Sequence, residues 1–300
     1  MLEQQTKKGA LMGLRTKFNL VLLVVFTLGL AVTGYISYTL LQQNARDEVY
    51  RNAGLIMEAT LSMRDYTQKQ VSPHLDYQPD TFLPQSVPAF AATEMMNVLR
   101  KKYSDYNYKE AVLNPTNLRD RAVEWETDVV NAFRSDTSRT DISGTRMSEG
   151  GPSLYLARPI RIAAEGCLVC HSTPDKAPAA MIAKYGANNG FGWKLNEIVG
   201  AQVVSVPMSL PIENANRAFV TFMASLTGVF VVLFIILNVM LSFLIVRPIT
   251  DMSEAANEIS TGNMDIPEFP DKGRDEMALL AKSFNRMRRS LQKAISLIDE

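Results

Sequence analysis

The sequence predicts an α+β extracytoplasmic domain between two transmembrane helices, followed by an all-α coiled-coil module. Three observations carry this. Two long runs, Leu20–Leu41 and Ala218–Val246, contain no charged residue, and about twenty apolar residues suffice to cross a bilayer core. Between them the chain passes from helical spacing to β-type alternation. Beyond the second run, apolar residues recur in heptads. The 300 residues carry 31 basic and 31 acidic side chains, without the clustered basic excess that a nucleic-acid binder would show.

Residues 1–17 form the expected cytoplasmic N-terminus and 18–41 the first span. The apolar run exceeds a signal-peptide core, and no small-x-small cleavage site follows it, so it reads as a retained anchor. Lys7, Lys8, Arg15 and Lys17 precede it, and Arg247 directly follows the second span, 218–246. The positive-inside rule then places both termini in the cytoplasm and residues 42–217 outside, in the periplasm of a Gram-negative inner membrane. Asn238 is the polar residue deep in the second span. It reads either as an inter-helix hydrogen bond in a dimer or as a locally satisfied side chain.

The outer domain begins as a continuation of the first membrane helix. Val49, Ala53, Ile56, Thr60, Met63 and Thr67 recur at steps of three and four. This helix is expected to end near Pro73, because proline disfavours helix in the residue before it. Pro79, Pro84 and Pro88 mark a loop. The stretches "AATEMMNVLRKKY" and "RDRAVEWETDVVNAFRS" read as a second and a third helix. Then "RTDISGTRMSEGGPSLYLARPIRI" alternates and breaks at Glu149-Gly150-Gly151, as a hairpin does. "EIVGAQVVSVPM", β-branched and bounded by proline, reads as a central strand. Helices first, then a small antiparallel sheet leading to the second span, give a sensor domain of PAS-like shape.

Cys167-Leu168-Val169-Cys170-His171 contains the chain's only two cysteines and has the spacing of c-type haem attachment. The thiols add across the porphyrin vinyl groups, and the adjoining imidazole supplies the proximal iron ligand. Attachment takes place outside the cytoplasmic membrane, where the topology places this segment. Three other uses of the pair compete. A disulfide would close a very short loop and contribute little. A thioredoxin-like redox pair opens a helix in a βαβ context that this region lacks. Zinc wants four ligands, and the chain offers one further histidine and no further cysteine. One motif means one covalent haem c.

The sixth iron position is open among several candidates. His74 is the other histidine, at a helix end and equally readable as solvated. Met57 and Met63 lie along the first outer helix, and Met147, Met181 and Met208 are further thioethers. An open or water-bound site is a further alternative. Arg158 and Arg161 precede the motif and Lys194 follows it, as candidate propionate contacts or ordinary solvent-facing charges. The tract "NNGFGW", Asn188 to Trp193, offers close backbone approach and aromatic walls for a flat cofactor, or a tight turn packed on the core.

Residues 247–300 form the expected coiled-coil module, and from the end of the second span Ile245, Ile249, Met252, Ala256 and Ile259 step by four and three. After Gly262-Asn263, Met277, Leu280, Phe284, Met287, Leu291, Ala294 and Ile298 continue a three–four seam. With Pro248, Gly262 and Asp275-Glu276 in this order, the segment resembles a HAMP domain. The resemblance implies a parallel four-helix bundle of two chains, hence a homodimer relaying motion from the membrane. The phrases "RDYTQKQVSP", "YKEAVLNPTNLRDRAVEWE", "LYLARPIRI…CLVCHSTP" and "GWKLNEIVGAQVVSVPM" resemble the haem c-binding, PAS-like periplasmic sensor domains of bacterial membrane receptors. That resemblance covers most of residues 45–210 and implies haem attachment at Cys167, Cys170 and His171. The expected function is a membrane-bound receptor sensing redox state or a small ligand, passing its signal to a kinase or similar cytoplasmic output protein. A membrane-anchored cytochrome c electron carrier is the alternative, and the heptads discriminate against it. A haem peroxidase ranks last, since it needs a distal acid–base group; the chain is not expected to be an enzyme.

Overall fold

The computed structural model describes residues 12–75, 81–148 and 150–297. Lys7, Lys8, Pro79, Glu149 and Ile298, used above, lie outside the described residues. The chain divides into two compact units, 38–218 and 1–37 with 219–300.

Helix α1, Leu14–Tyr66, carries the first apolar run and continues into the 38–218 unit. It does not stop before Pro73. A π-helical turn, Thr67–Val71, follows it, and a short helix α2, Ser72–Leu75, carries the proline. Proline lacks an N–H and clashes with the carbonyl four residues back, and widening the preceding turn relieves both. The same device recurs in the second long helix, where the π turn Ser242–Val246 precedes Pro248.

Helix α3, Pro88–Arg100, and helix α4, Glu124–Ser135, occupy the two predicted helical stretches. Strand β1, Asn107–Val112, lies between them, so helices and sheet interleave where the sequence suggested helices first. The alternation was hidden because both faces of β1 carry charge: Glu110 points to one side, and Lys109 reaches Glu126 of α4 on the other at 2.6 Å. Strands β2, Ile142–Ser148, and β3, Gly151–Arg161, form the expected hairpin. Strand β4, Ile198–Pro207, is central, in the antiparallel order β1-β4-β3-β2.

The sheet separates two apolar layers. On one side Tyr108, Leu154, Leu156, Val204 and Val206 close over Val49, Ala53 and Met57 of α1 and Met96 of α3. On the other, Ala111, Ala157, Ala201 and Val203 close over Val129, Val130 and Phe133 of α4. One residue after β4, helix α7 begins and runs Ser209–Leu241 through the second apolar run. Near its start Asn216 accepts a hydrogen bond from Gln42 of α1 at 2.6 Å.

In the other unit, Phe26 and Phe230 stack at 4.8 Å between the two long apolar helices, each long enough to cross a membrane. Helices α8, Arg247–Ser260, and α9, Glu276–Ser296, bury Met252, Ala255 and Ile259 with Ala278 and Ala281. Asn285, also buried, clips the connector by accepting from Phe269 N at 3.1 Å and donating to Phe269 O at 2.9 Å. Leu280, Met287 and Leu291, on the predicted seam, stay exposed in the single chain.

The turn Leu118–Asp120 carries a titratable device. Burial pushes the Asp120 carboxyl up to about 6, against the opposing pull of Arg119. The folded state therefore binds this proton more tightly than the unfolded chain. Its stabilisation is complete below the ordinary value of 3.8 and is lost as pH rises through about 6. Asp120→Asn is expected to remove this dependence. The difference in unfolding free energy between parent and variant should change by about 2 kcal/mol between pH ~4 and ~7. Tryptophan fluorescence during urea titrations checks this, since both tryptophans, Trp125 and Trp193, lie in the 38–218 unit.

Candidate functional site

Between β3 and β4 the chain makes an excursion whose ends are tied together. Ile162 N donates to Glu197 O at 2.9 Å, and Asn196 N donates to Ile162 O at 2.8 Å. Within the excursion, helix α5, Gly166–His171, holds the cysteine motif, and helix α6, Ala179–Tyr185, follows. A single helical turn brings residues three apart onto one side, so Cys167 and Cys170 project together, both half-buried. Cys167, Leu168 and Trp193 pack against a floor of Val112, Ile162 and Val199.

His171 is oriented from two directions. Its Nδ1 lies 2.8 Å from the Gly190 carbonyl, which can only accept, so Nδ1 carries the proton and Nε2 keeps its lone pair. Its ring stacks on Trp193 at 3.9 Å with 13° between planes. Burial pushes the imidazole below its ordinary value, against the Gly190 hydrogen bond, so the ring is neutral at neutral pH and able to bind a metal. The carbonyl is positioned by the 186–193 loop, pinned by Gly192 N to Ser172 O at 2.9 Å and Arg121 Nη2 to Asn189 Oδ1 at 3.0 Å. Gly190 itself has φ +83°, and a Cβ there would stand 2.0 Å from Thr116 Oγ1. The donor set fits haem c: paired thiols on one helical turn, a neutral imidazole with Nε2 available, and an apolar floor.

The structure brings Cys167, Cys170, His171 and Trp193 together. Other predicted residues lie elsewhere. Met57 and Met208 belong to the α1-side core, with Met63 at its edge. Met181 is buried on α6, whereas Met147 and His74 are exposed. Arg158 pairs with Glu58 at 2.7 Å. Arg161 donates to the backbone carbonyls of Thr137 at 3.0 Å and Asn196 at 3.3 Å. Lys194 is exposed.

Sequence reasoning missed Arg64 and Glu110. Arg64 Nη1 donates to both carboxylate oxygens of Glu110, and Tyr108 donates its O–H to Glu110 Oε1 at 2.8 Å. Burial and the neighbouring carboxylate push Tyr108 upward, so the phenol stays protonated. Burial opposes the charge on Arg64, but Glu110 outweighs it and holds the guanidinium above its ordinary value, and Cys167 contributes in the same direction. The signal was available: Ala53, Met57, Thr60, Arg64 and Thr67 step by four, three, four and three, which puts the arginine on the buried stripe.

Residues 240–293 match the HAMP domain. Among solved structures the chain is similar to the crystal structure of the cyanobacterial heme-protein Tll0287, with 16% identity over 53% of this chain and 95% of that one and a TM-score of 0.43. Among curated proteins it is similar to sensor histidine kinase WalK of Bacillus subtilis (strain 168), 33% identical over 103 residues. That match covers 34% of this chain and spans 16% of the kinase's length. Residues 42–207, more than half of the chain, match the Tll0287-like family, and the chain therefore belongs to it, with a HAMP domain after that region.

Proposed function

We propose that the chain is a homodimeric signal transducer of the bacterial inner membrane, reading periplasmic redox state or a small ligand through one haem c attached at Cys167 and Cys170. His171 is the proximal ligand. The observation that carries this reading is the imidazole pinned by Gly190 and Trp193 beside two half-buried thiols. Bound there, haem supplies a one-electron couple and an iron site for a diatomic gas, and the protein's part is to orient the imidazole and exclude water. The topology rests on Arg15, Lys17 and Arg247 flanking the apolar runs, and dimerisation on the uncovered Leu280, Met287 and Leu291. The signal passes to a kinase-like cytoplasmic output.

Magnitude narrows the mechanism. Moving a two-state receptor from 1:99 to 99:1 takes about 5.5 kcal/mol, roughly 10⁴-fold. At about 59 mV per tenfold for one electron, the two signalling states must differ in potential by roughly 240 mV. A change of iron ligand on reduction supplies a difference of that size more readily than a rigid six-coordinate iron does.

Two measurements on the full-length protein in nanodiscs test the reading. Intact mass after acid–acetone treatment is expected to retain one haem, and a colourless chain of unmodified mass would reject it. Bismaleimide cross-linking of Leu280→Cys is expected to give different dimer yields in the oxidised and reduced states. Equal yields with haem present would favour the electron carrier.

A further inference from the structure

Two ion pairs join α1 to the haem-side face of the sheet, Arg64 with Glu110 and Glu58 with Arg158. They sit over a polar row: Glu110 of β1 faces Gln202 of β4, which faces Arg158 of β3. The two pairs differ in burial. Glu58 is 62% exposed, whereas the Glu110 side chain is 5% exposed.

The Glu110 carboxylate is satisfied by Arg64 Nη1 and by the Tyr108 hydroxyl. The guanidinium is not used up. Of its five N–H donors, those on Nε and Nη2 have no hydrogen-bond partner among the described residues. Where they lie is set by the strand. Glu110 and Val112 are two apart on β1 and face the same side, and Val112 forms the floor on which Cys167 packs. A cation with unused donors beside the attachment cysteine calls for an anion, and a porphyrin linked at Cys167 brings two carboxylates with it. Arginine forks suit carboxylates. Of the candidates nearest in sequence, Arg158 is paired with the exposed Glu58, so its partner lies toward solvent, and Arg161 is held by the backbone carbonyls of Thr137 and Asn196.

We propose that Arg64 is a cofactor-binding residue: its guanidinium bridges Glu110 of the sheet and a propionate of the haem, so that the helix continuing from the first apolar run grips the cofactor directly. This rests on haem attachment at Cys167 and Cys170. The positive end of the Arg64–Glu110 pair then faces the haem and favours the reduced iron. Whatever changes the haem's charge changes the grip on α1 by the same free energy, because the coupling is reciprocal.

The test is the midpoint potential of full-length protein in nanodiscs. Arg64→Gln alone would leave a buried carboxylate uncompensated and threaten the fold. The variant to make is therefore Arg64→Gln with Glu110→Gln, which removes both charges and keeps amide hydrogen bonding. It is expected to keep its covalent haem and to lower the reduction equilibrium at least about tenfold, about 59 mV. Arg64→Lys, which keeps the charge, should shift it by less than half of that. Lys109→Gln with Glu126→Gln removes an ion pair from the opposite face of the same strand and should leave the potential in place. An unmoved potential in the Arg64 double variant, or an equal shift in the Lys109 one, overturns the proposal while leaving the haem reading intact. A parent chain without covalent haem overturns both.

Discussion

Gly190→Ala is expected to destabilise the 38–218 unit by about 2–5 kcal/mol and, with haem attached as proposed, to disturb its iron at the same time. Two costs add. The residue sits at φ +83°, where a side chain costs about 1–2 kcal/mol. The new Cβ would also stand 2.0 Å from Thr116 Oγ1 and 2.8 Å from the Thr116 backbone. A contact with backbone cannot be relieved by a rotamer change, so the loop must move, as in an overpacked core, at about 1–3 kcal/mol. Gly186→Ala separates the two costs. Gly186 also has φ +83°, with ψ 174° in a region open essentially to glycine, but nothing lies within 4 Å of the added carbon, so it should lose only the backbone part, about 1–3 kcal/mol. The spectra should separate them as well. The Gly190 carbonyl takes the Nδ1 proton of His171, so displacing it frees the imidazole to turn and changes the iron's absorption. Gly186→Ala should leave the spectrum as it is. Urea unfolding followed by tryptophan fluorescence, with visible spectra of the folded proteins, checks both. Equal destabilisation by the two substitutions would mean that the loop yields freely and that His171 is held chiefly by Trp193.

What was legible in the sequence depended on range. The cysteine motif, the hairpin around Gly150-Gly151, the central strand and the two apolar helices announce themselves within single windows, because their signals are spacing and composition. The same holds for α8 and α9, except that the expected seam is not what a single chain buries. Ala278, Ala281 and Asn285 turn inward, and Leu280 and Met287 stay outside. A heptad pattern records every apolar surface a helix will cover, including one that only another chain can cover. Strand β1 was missed because its inward position is filled by Glu110, whose burial depends on Arg64 from a helix 46 residues away. Pro73 marked the helix end closely: the described helix stops at Leu75, two residues beyond it, after one widened turn. The "NNGFGW" tract was singled out for its glycines and aromatics as a wall for a flat cofactor or a tight turn. Its contact is with the histidine through Trp193 and the Gly190 carbonyl. Those pairings join residues about twenty positions apart across a loop, beyond what periodicity can report.

Phe133→Ala should be the opposite kind of lesion, large in stability and silent at the haem. Phe133 is fully buried, at 0% exposure, where α4 meets the sheet face formed by Ala111, Ala157, Ala201 and Val203. The buried sheet residues of its cluster are small or β-branched and anchored in backbone that the sheet fixes, so the space it leaves closes poorly. Truncations of this kind cost about 3–5 kcal/mol. Phe133→Leu, which refills most of the volume, should cost under about 1.5 kcal/mol. Neither residue touches the floor under Cys167, which is built from Val112, Ile162 and Val199. The visible spectrum and the midpoint potential of the folded variant should therefore match the parent. A spectral change in Phe133→Ala would show that the α4 layer and the attachment loop share a cooperative packing state. The physical route would be Arg134, the next residue on α4, which donates to the Ile198 carbonyl at 2.7 Å and pairs with Glu197 at 3.1 Å, where the loop carrying the cysteine motif is tied shut. Arg134→Gln in the Phe133→Ala background then decides between the two. If the spectral change runs through this tether, cutting it removes the influence of the core defect on the iron; if the change persists, it travels through the sheet itself.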